Sequence, residues 1–427
     1  MTEKLQLYRY NLPFKKPFYA AGTRCDERRG LLLGSHRRFW SEIAPLPGFS
    51  QESTEEALVF LQRHADSLNK AFQQQRLDAF LNSENPFTAE SLALLPSVRF
   101  GISMLAEQQK ASRAKLPLYR YWIRKQSMAG NHAPARPTVS GTDSGQSSGE
   151  ESAAEVHCNA LCRKQEPEAL RGEVDDFQKA GFRCIKVKLP DSVDQAFEVI
   201  SELCLEFENL KFRFDANRCF NLEQAHRLLG KITGPDCQVI YRNPPQYIEE
   251  PVFLENNENP AEKLSALRRY GIALAADESV RSPEQADFLA RENGFDRLVI
   301  KPMLLGSFDE FCRILQCGLP VTVTSSLETD TGRSLLAHLA AFCNYSIQST
   351  EHGLCTGGLF QKVENQKQYQ PRTNAGKQAG RWLDEAPAAR LHGDTAVIRL
   401  GKDCGPPHIP NLCSEWIDTS RNLIQEV

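Results

Sequence analysis

The sequence predicts an α/β protein: a modified (β/α)8 barrel of the TIM type preceded by an N-terminal α+β capping domain. Two observations predict it. From Phe182 to Lys301, short apolar runs each end on a charged residue: Cys184–Lys188, Lys211–Asp215, Tyr247–Glu249, Ile272–Asp277 and Arg297–Lys301. Successive runs lie roughly one βα unit, about thirty residues, apart. Between the runs stand helix signals. Ser282, Pro283 and Gln285 form a cap, a first-turn proline and a glutamine that reaches back, and Gly294 closes that helix. Ser307 and Glu310 open the next helix and Gly318 ends it.

The first domain, residues 1–125, reads as strands at Leu5–Phe14, Leu31–Leu33 and Phe39–Ile43, stopped by Pro45, Pro47 and Gly48. A helix opens at Thr54, with Leu58, Leu61 and Leu68 at helical spacing, and a second runs from Ser97 to Lys110. The loop Ala20–Cys25 is small enough for a lid, and a plain hairpin explains it equally well. Residues 126–153 change character: Met128–Ser152 has almost no apolar side chain to bury, and we expect a disordered insertion or linker.

Residues 154–360 carry the βα pattern. Strands are expected near Ala154–Ala160, Phe182–Leu189, Leu210–Phe214, Tyr247–Ile248, 272–276, up to Lys301, Leu319–Thr324 and Tyr345–Gln348. Helices are expected from Glu166, at the Ser192–Gln195 capping box, at Asn221–Leu229, Pro260–Arg269 and Arg333–Phe342. Right-handed crossovers make the strands parallel and bring their C-terminal ends to one face. The tail, 361–427, is polar and Pro-rich and is expected to return across the first domain.

Composition narrows the partners. The 427 residues hold 51 Lys and Arg against 54 Asp and Glu, a formal charge of -3. That balance gives no reason to expect nucleic acid or a membrane surface as partner. No apolar run approaches the roughly 20 residues a bilayer needs, and the N-terminus lacks a secretory core. The 13 Cys form no CxxC pair, so reduced thiols in a cytoplasmic protein are expected. The nine His include no HxH or HExxH pair, and no GxSxG elbow is present. The Gly-rich stretch 353–358 lacks the spacing and lysine of a phosphate loop.

In such a barrel chemistry sits at the strand C-termini. Asp215, Glu249 and Asp277 stand there. Three bare carboxylates converging on one axis repel one another, and a hard divalent cation, Mg2+ best, relieves that. Lys186 and Lys188, two apart, point to the same face. Burial, mutual repulsion and a nearby cation each depress a lysine, which makes one of the pair a usable general base. Lys301 lies across the barrel. The set fits removal of a proton next to a carboxylate, with the metal stabilising the enediolate. Any one acid or lysine alone is better explained as a solvated loop charge; the combination on successive strands is not.

Lys186-Val-Lys188, Phe214-Asp-Ala-Asn217, Ile248-Glu-Glu-Pro251, Asp277-Glu-Ser279 and Ile300-Lys-Pro302 resemble, in this order, the enolase superfamily. Segments 42–50, 96–103, 215–218, 277–281, 300–307 and 325–328 resemble the o-succinylbenzoate synthase family within it. The resemblance covers about residues 5 to 360; the stretch near 128–152 and the tail beyond about 365 depart from it.

The resemblance implies a small-molecule carboxylate substrate, 2-succinyl-6-hydroxy-2,4-cyclohexadiene-1-carboxylate, dehydrated to 2-succinylbenzoate in menaquinone biosynthesis. It implies Lys188 as base and then acid, Lys301 as a cation facing the enediolate, and Lys186 tuning Lys188. It implies Asp215, Glu249 and Asp277 as ligands of Mg2+, or of Mn2+ in its place, with Glu249 chosen over Glu250. Arg213, Thr324, Ser325 and Gly353 occupy substrate-contact positions, and Asn217 and Glu278 stand behind the ligands. N-Succinylamino acid racemisation, dipeptide epimerisation and muconate cycloisomerisation on the same scaffold stay open, as does a non-catalytic scaffold barrel. Monomer and homo-oligomer are both open.

Overall fold

The computed structural model describes residues 4–20, 23–35, 39–82, 92–128, 154–235, 237–254, 259–361, 396–400 and 415–417. The stretch read as a linker falls at 129–153 outside the described residues, as do most of the tail and the tip, 21–22, of the loop read as a lid.

The N-terminal sheet runs in the order β13-β1-β2-β3, all antiparallel, with β1 Leu5–Ala20, β2 Thr23–Ser35, β3 Trp40–Ile43 and β13 Glu415–Ile417. The β1–β2 pairing continues to Ala20↔Thr23, with a register shift between Pro13 and Phe18. Because side chains alternate across a strand, this sheet has two apolar faces. Leu5, Leu7, Leu31, Leu33 and Ile43 pack with the helices of the first domain. Tyr8, Tyr10, Leu12, Leu32 and Trp40 face the other way, onto Leu304, Leu327 and Phe360 of the barrel. Each such buried side chain is worth about 1.5–3 kcal/mol. The alternation thus fastens cap to barrel.

The helix expected at Thr54 is two. Thr54–Arg63 is opened by a Ser53–Glu56 capping box and stops at His64 (φ -103°), and Ala65–Gln73 comes directly after it. The long helix of the first domain is Pro96–Arg113.

The barrel is a parallel sheet in the order β11-β10-β9-β8-β7-β6-β5. Its strands are β5 Ala160–Leu161, β6 Cys184–Lys188, β7 Lys211–Asp215, β8 Tyr247–Glu249, β9 Leu274–Ala276, β10 Arg297–Ile300 and β11 Val321–Val323. β4, Ala154–His157, pairs outside it with β12, Val397–Leu400. The strand expected at Tyr345–Gln348 is not there. Residues 330–346 form one helix, because the apolar repeat from Leu335 continues into its last turns. The ring is closed instead by His352 and Gly353, bridged in parallel to Cys158 on one side and Thr324 on the other. Asn159 N–H donates to His352 O at 3.0 Å and Ser325 N–H to Gly353 O at 2.9 Å.

Outer helices begin where their caps are written. Ser192, Asn221, Ser282, Ser307 and Thr329 each accept a backbone N–H of the first turn. No helix among the described residues is long and apolar enough to cross a membrane.

Candidate active site

Register sets the site. Lys188 is paired with Asp215 and Asp215 with Glu249, so three charges stand at one level on adjacent strands. Asp277 and Lys301 come just after the last residues of β9 and β10. Period two then stacks a second layer beneath: Lys186 below Lys188, Arg213 below Asp215, Tyr247 below Glu249.

Lys186 Nζ lies 2.7 Å from Glu249 Oε1 and 2.9 Å from Asp215 Oδ2. Lys301 Nζ grips both carboxylate oxygens of Asp277 and stands 5.6 Å from the centre of the Phe49 ring. Lys188 is exposed at the rim and makes no ion pair with a described residue.

Burial alone would depress Lys186, but the charges of Asp215 and Glu249 outweigh it and hold the ammonium well above its ordinary range. Lys301 is also raised above its ordinary range: burial opposes this, and the carboxylate charges, Asp277 first, outweigh it. Depression is therefore not what these contacts produce at Lys186. Glu249 is pushed far up, first by burial and then by Asp215. Burial opposes ionisation of Asp277 too, yet Lys301 and Lys186 bring it below the usual range. Burial and the Asp277 charge push Glu278 up to about 7.

No three of the described His, Cys, Asp and Glu side chains are already grouped around a point that a metal could take. The acids are turned onto the ammonium groups instead. Their chemistry still fits a hard cation: all donors are oxygens, three carboxylates face two ammoniums, and buried Glu249 Oε2 has no hydrogen-bond partner among the described residues.

The expected substrate contacts fare differently. Arg213 is fully buried below the acids. Its five donors go to Gln246, Asn159, Thr350 and both the backbone O and the carboxylate of Glu351, and it lies over the Tyr247 ring. A guanidinium has five N–H groups, and these contacts leave none for a substrate; Arg213 braces the barrel floor. Ser325 is also committed: its hydroxyl donates to Glu328 Oε2 at 2.6 Å and receives Leu327 N–H and the Thr356 hydroxyl. Gly353 lies on the closing seam, where an added Cβ would collide with Thr324 Oγ1. The Thr324 hydroxyl donates to Gly353 O at 3.3 Å and keeps its acceptor capacity.

Residues 2–109 match the family model described as MenC, N-terminal domain, and residues 169–367 match Enolase C-terminal domain-like. An o-succinylbenzoate synthase of Yersinia enterocolitica is 30% identical over 364 residues, covering 83% of this chain and 90% of that protein. The chain belongs to the o-succinylbenzoate synthase family of the enolase superfamily. An Escherichia coli o-succinylbenzoate synthase is 29% identical over 83% of this chain and 91% of its own. In fold, a dipeptide epimerase from Cytophaga hutchinsonii, solved with Mg and D-Ala-L-Val, superposes with TM-score 0.69 at 18% identity, covering 98% of this chain and 99% of that one.

In this o-succinylbenzoate synthase family member the acid pair after Ile248 divides its work. Glu249 faces Lys186, whereas Glu250 accepts the N–H groups of Asp277 and Ser279 at 2.8 and 2.7 Å, the Ser279 hydroxyl at 2.9 Å and Arg218 Nε at 3.0 Å. Glu250 thus sets the loop that carries Asp277. Asn217 N–H donates to Asp215 Oδ1 at 2.9 Å and its amide to Glu278 Oε1 at 3.3 Å. Asn217, Arg218 and Glu250 all have positive φ (43°, 62°, 43°), local strain of the kind found around functional loops. Sequence reading missed Arg218, Ser279 and Phe49. All three lie inside family-like segments, but nothing in a motif names the partner that makes the contact.

Proposed function

We propose that this chain is an o-succinylbenzoate synthase: it converts 2-succinyl-6-hydroxy-2,4-cyclohexadiene-1-carboxylate into 2-succinylbenzoate and water, a cytoplasmic step of menaquinone biosynthesis. One observation carries the proposal. Lysines reach in from β6 and from the end of β10, on either side of the acids on β7, β8 and β9.

Asp215, Glu249 and Asp277 would hold Mg2+, which supplies a positive charge for the substrate carboxylate. Lys188, at the rim above Lys186, takes the proton from the carbon next to that carboxylate. The electron pair moves towards the carboxylate, and Lys301 faces the charge that builds up. The C–O bond to the ring hydroxyl then breaks, its pair leaving with oxygen. Lys188 returns its proton to that oxygen, and water departs as the ring becomes aromatic. Lys186 stays protonated between Glu249 and Asp215, which supports its role as an orienting charge. Asn217, its amide held by Glu278, braces Asp215 through its backbone N–H.

Turnover of the cyclohexadiene carboxylate by the full chain, with Mg2+ and then with excess EDTA, tests this. Aromatisation that needs the metal is the expected result. Absence of turnover with metal, or faster racemisation of N-succinylamino acids or epimerisation of dipeptides, would overturn it. A scaffold barrel would do none of these.

A further inference from the structure

Behind the three acids, one residue from each of the segments leaving β7, β8 and β9 meets the other two. Glu250, directly after Glu249, is fully buried. Its Oε1 accepts the N–H groups of Asp277 and Ser279, and its Oε2 accepts the Ser279 hydroxyl and Arg218 Nε. Arg218 closes the triangle. Its Nη2 donates to Ser279 Oγ at 2.9 Å, and its backbone N–H donates to Glu250 O at 2.8 Å. Its guanidinium carbon lies 5.4 Å from the centre of the Phe253 ring.

The triangle ties the acids together without touching their carboxylates. Among the described residues, the side chains of Arg218 and Ser279 make no hydrogen bond or ion pair with the carboxylate of Asp215, Glu249 or Asp277. Glu250 holds the segment that carries Asp277 by two of its backbone N–H groups. Arg218 holds Glu250 and follows Asn217, whose N–H fixes Asp215. Charge balance alone needs only the Arg218–Glu250 pair. The Ser279 hydroxyl adds no charge, yet it bonds to both, so it sets the distance between the segments. Such spacing matters to a cation. Mg2+ demands near-octahedral oxygens at about 2.0–2.1 Å, whereas Ca2+ accepts looser shells at about 2.3–2.6 Å.

We propose that Arg218 is a positioning residue: through Glu250 and Ser279 it fixes Asp277 relative to Asp215 and Glu249, and so raises the preference for Mg2+ against the larger Ca2+. This deepens the proposed function and rests on it for the three metal ligands. A cluster free to spread would still take Ca2+, but would hold Mg2+ less well.

Calorimetric titration of the full chain with Mg2+ and, separately, with Ca2+ tests it by the ratio of the two affinities. Arg218→Met should lower Mg2+ affinity on the order of 10- to 100-fold, the effect of losing a partner behind a metal ligand. Ca2+ affinity should fall by less than about threefold. Ser279→Ala keeps the Arg218–Glu250 ion pair and cuts only the bridge to the Asp277 segment. Arg218→Lys keeps the charge but replaces the fork with a single ammonium. Both should shift the ratio towards Ca2+ by about three- to tenfold, and they carry the comparison should the Met variant not fold. A role in charge balance alone leaves the ratio unchanged in Ser279→Ala. That result, equal changes for the two ions in the Arg218 variants, or binding of neither ion by wild type would overturn the inference. Turnover separates the two ideas: a ratio that depends on Arg218 without dehydration keeps this role and removes the synthase assignment, and dehydration with an unchanged ratio does the reverse.

Discussion

Glu42 is the sharpest stability test in the molecule. It sits on β3, fully buried, and crosses to the barrel. Its carboxylate accepts Thr329 N–H at 3.0 Å, the Thr329 hydroxyl at 2.6 Å, Gly332 N–H at 2.9 Å and the Tyr10 hydroxyl. Two of these are orphan donors of the helix that starts at Asp330. Glu42→Ala leaves four buried donors facing a cavity. An unsatisfied buried group costs about 1–3 kcal/mol; four are created and some relaxation is certain, so we expect a loss of about 3–5 kcal/mol. That is a large share of the roughly 5–15 kcal/mol that holds a domain folded. Urea unfolding of wild type and variant, followed by far-ultraviolet circular dichroism, reads it. The pH dependence has a definite sign. Burial raises Glu42 above its ordinary value despite the hydrogen bonds from Thr329 and Tyr10. The folded state therefore binds the proton more tightly than the unfolded one, so this group's stabilisation is full at acid pH and declines as pH rises through its folded pKa. The deficit of the Ala variant should shrink in the same direction. A deficit below about 1 kcal/mol, or one that grows with pH, would refute the reasoning.

Lys188→Ala should lower kcat of the dehydration by about 10²–10⁴-fold with the unfolding midpoint unchanged, and a variant near wild-type rate would remove Lys188 from the role of base. Lys301→Arg keeps the charge but spreads it over a plane too broad for its two contacts, Asp277 and Phe49; a drop in kcat of at least about 10²-fold is expected, and an active variant would count against a close charge contact. Glu250→Gln should raise the Mg2+ concentration needed for half-maximal rate, because the loop carrying Asp277 loses charged acceptors; an unchanged metal requirement would contradict that role. Gly353→Ala places a methyl group against Thr324 Oγ1 on the closing seam and should cost about 1–3 kcal/mol by urea unfolding.

How much was legible beforehand depends on whether a residue's partner is near in sequence. Ser282, Ser307 and Asn221 announce their helices because each caps an N–H three residues on. The ring of acids and lysines was legible for a related reason: period two fixes which side of a strand a residue takes, and the run ends mark the level. Depth inside the barrel is not fixed by that period. Arg213 read as a substrate contact from the family resemblance; it shares a face with Asp215, yet it sits one layer lower and is saturated by Asn159 and Glu351. Tyr345–Gln348 read as a strand from its residue types, but tertiary packing continued the preceding helix to Ser346. Glu42 was invisible as a functional position, since the N–H groups that it accepts lie at Thr329 and Gly332.

The contacts between the two domains share one pattern. Arg28 on β2 is buried and donates to Ala44 O, to Pro45 O at 2.5 Å and, across the interface, to Leu327 O at 3.1 Å. Leu327 holds φ 67°, a conformation that costs a non-glycine residue about 1–3 kcal/mol unless its surroundings enforce it. Glu42 binds the next turn, at Thr329, and Phe49 reaches Lys301 and Arg281. The cap therefore grips the segments leaving the ends of β9, β10 and β11. The acids on β7 and β8 are set by strand register and by Asn217, with no hydrogen bond or ion pair to a cap residue among the described residues. An altered Phe49 turn should then disturb Lys301 and Arg281 while leaving Asp215 and Glu249 where they are. The division arises from the chain itself: strand register sets the acids of β7 and β8, and the N-terminal sheet holds the segments beyond β9, β10 and β11.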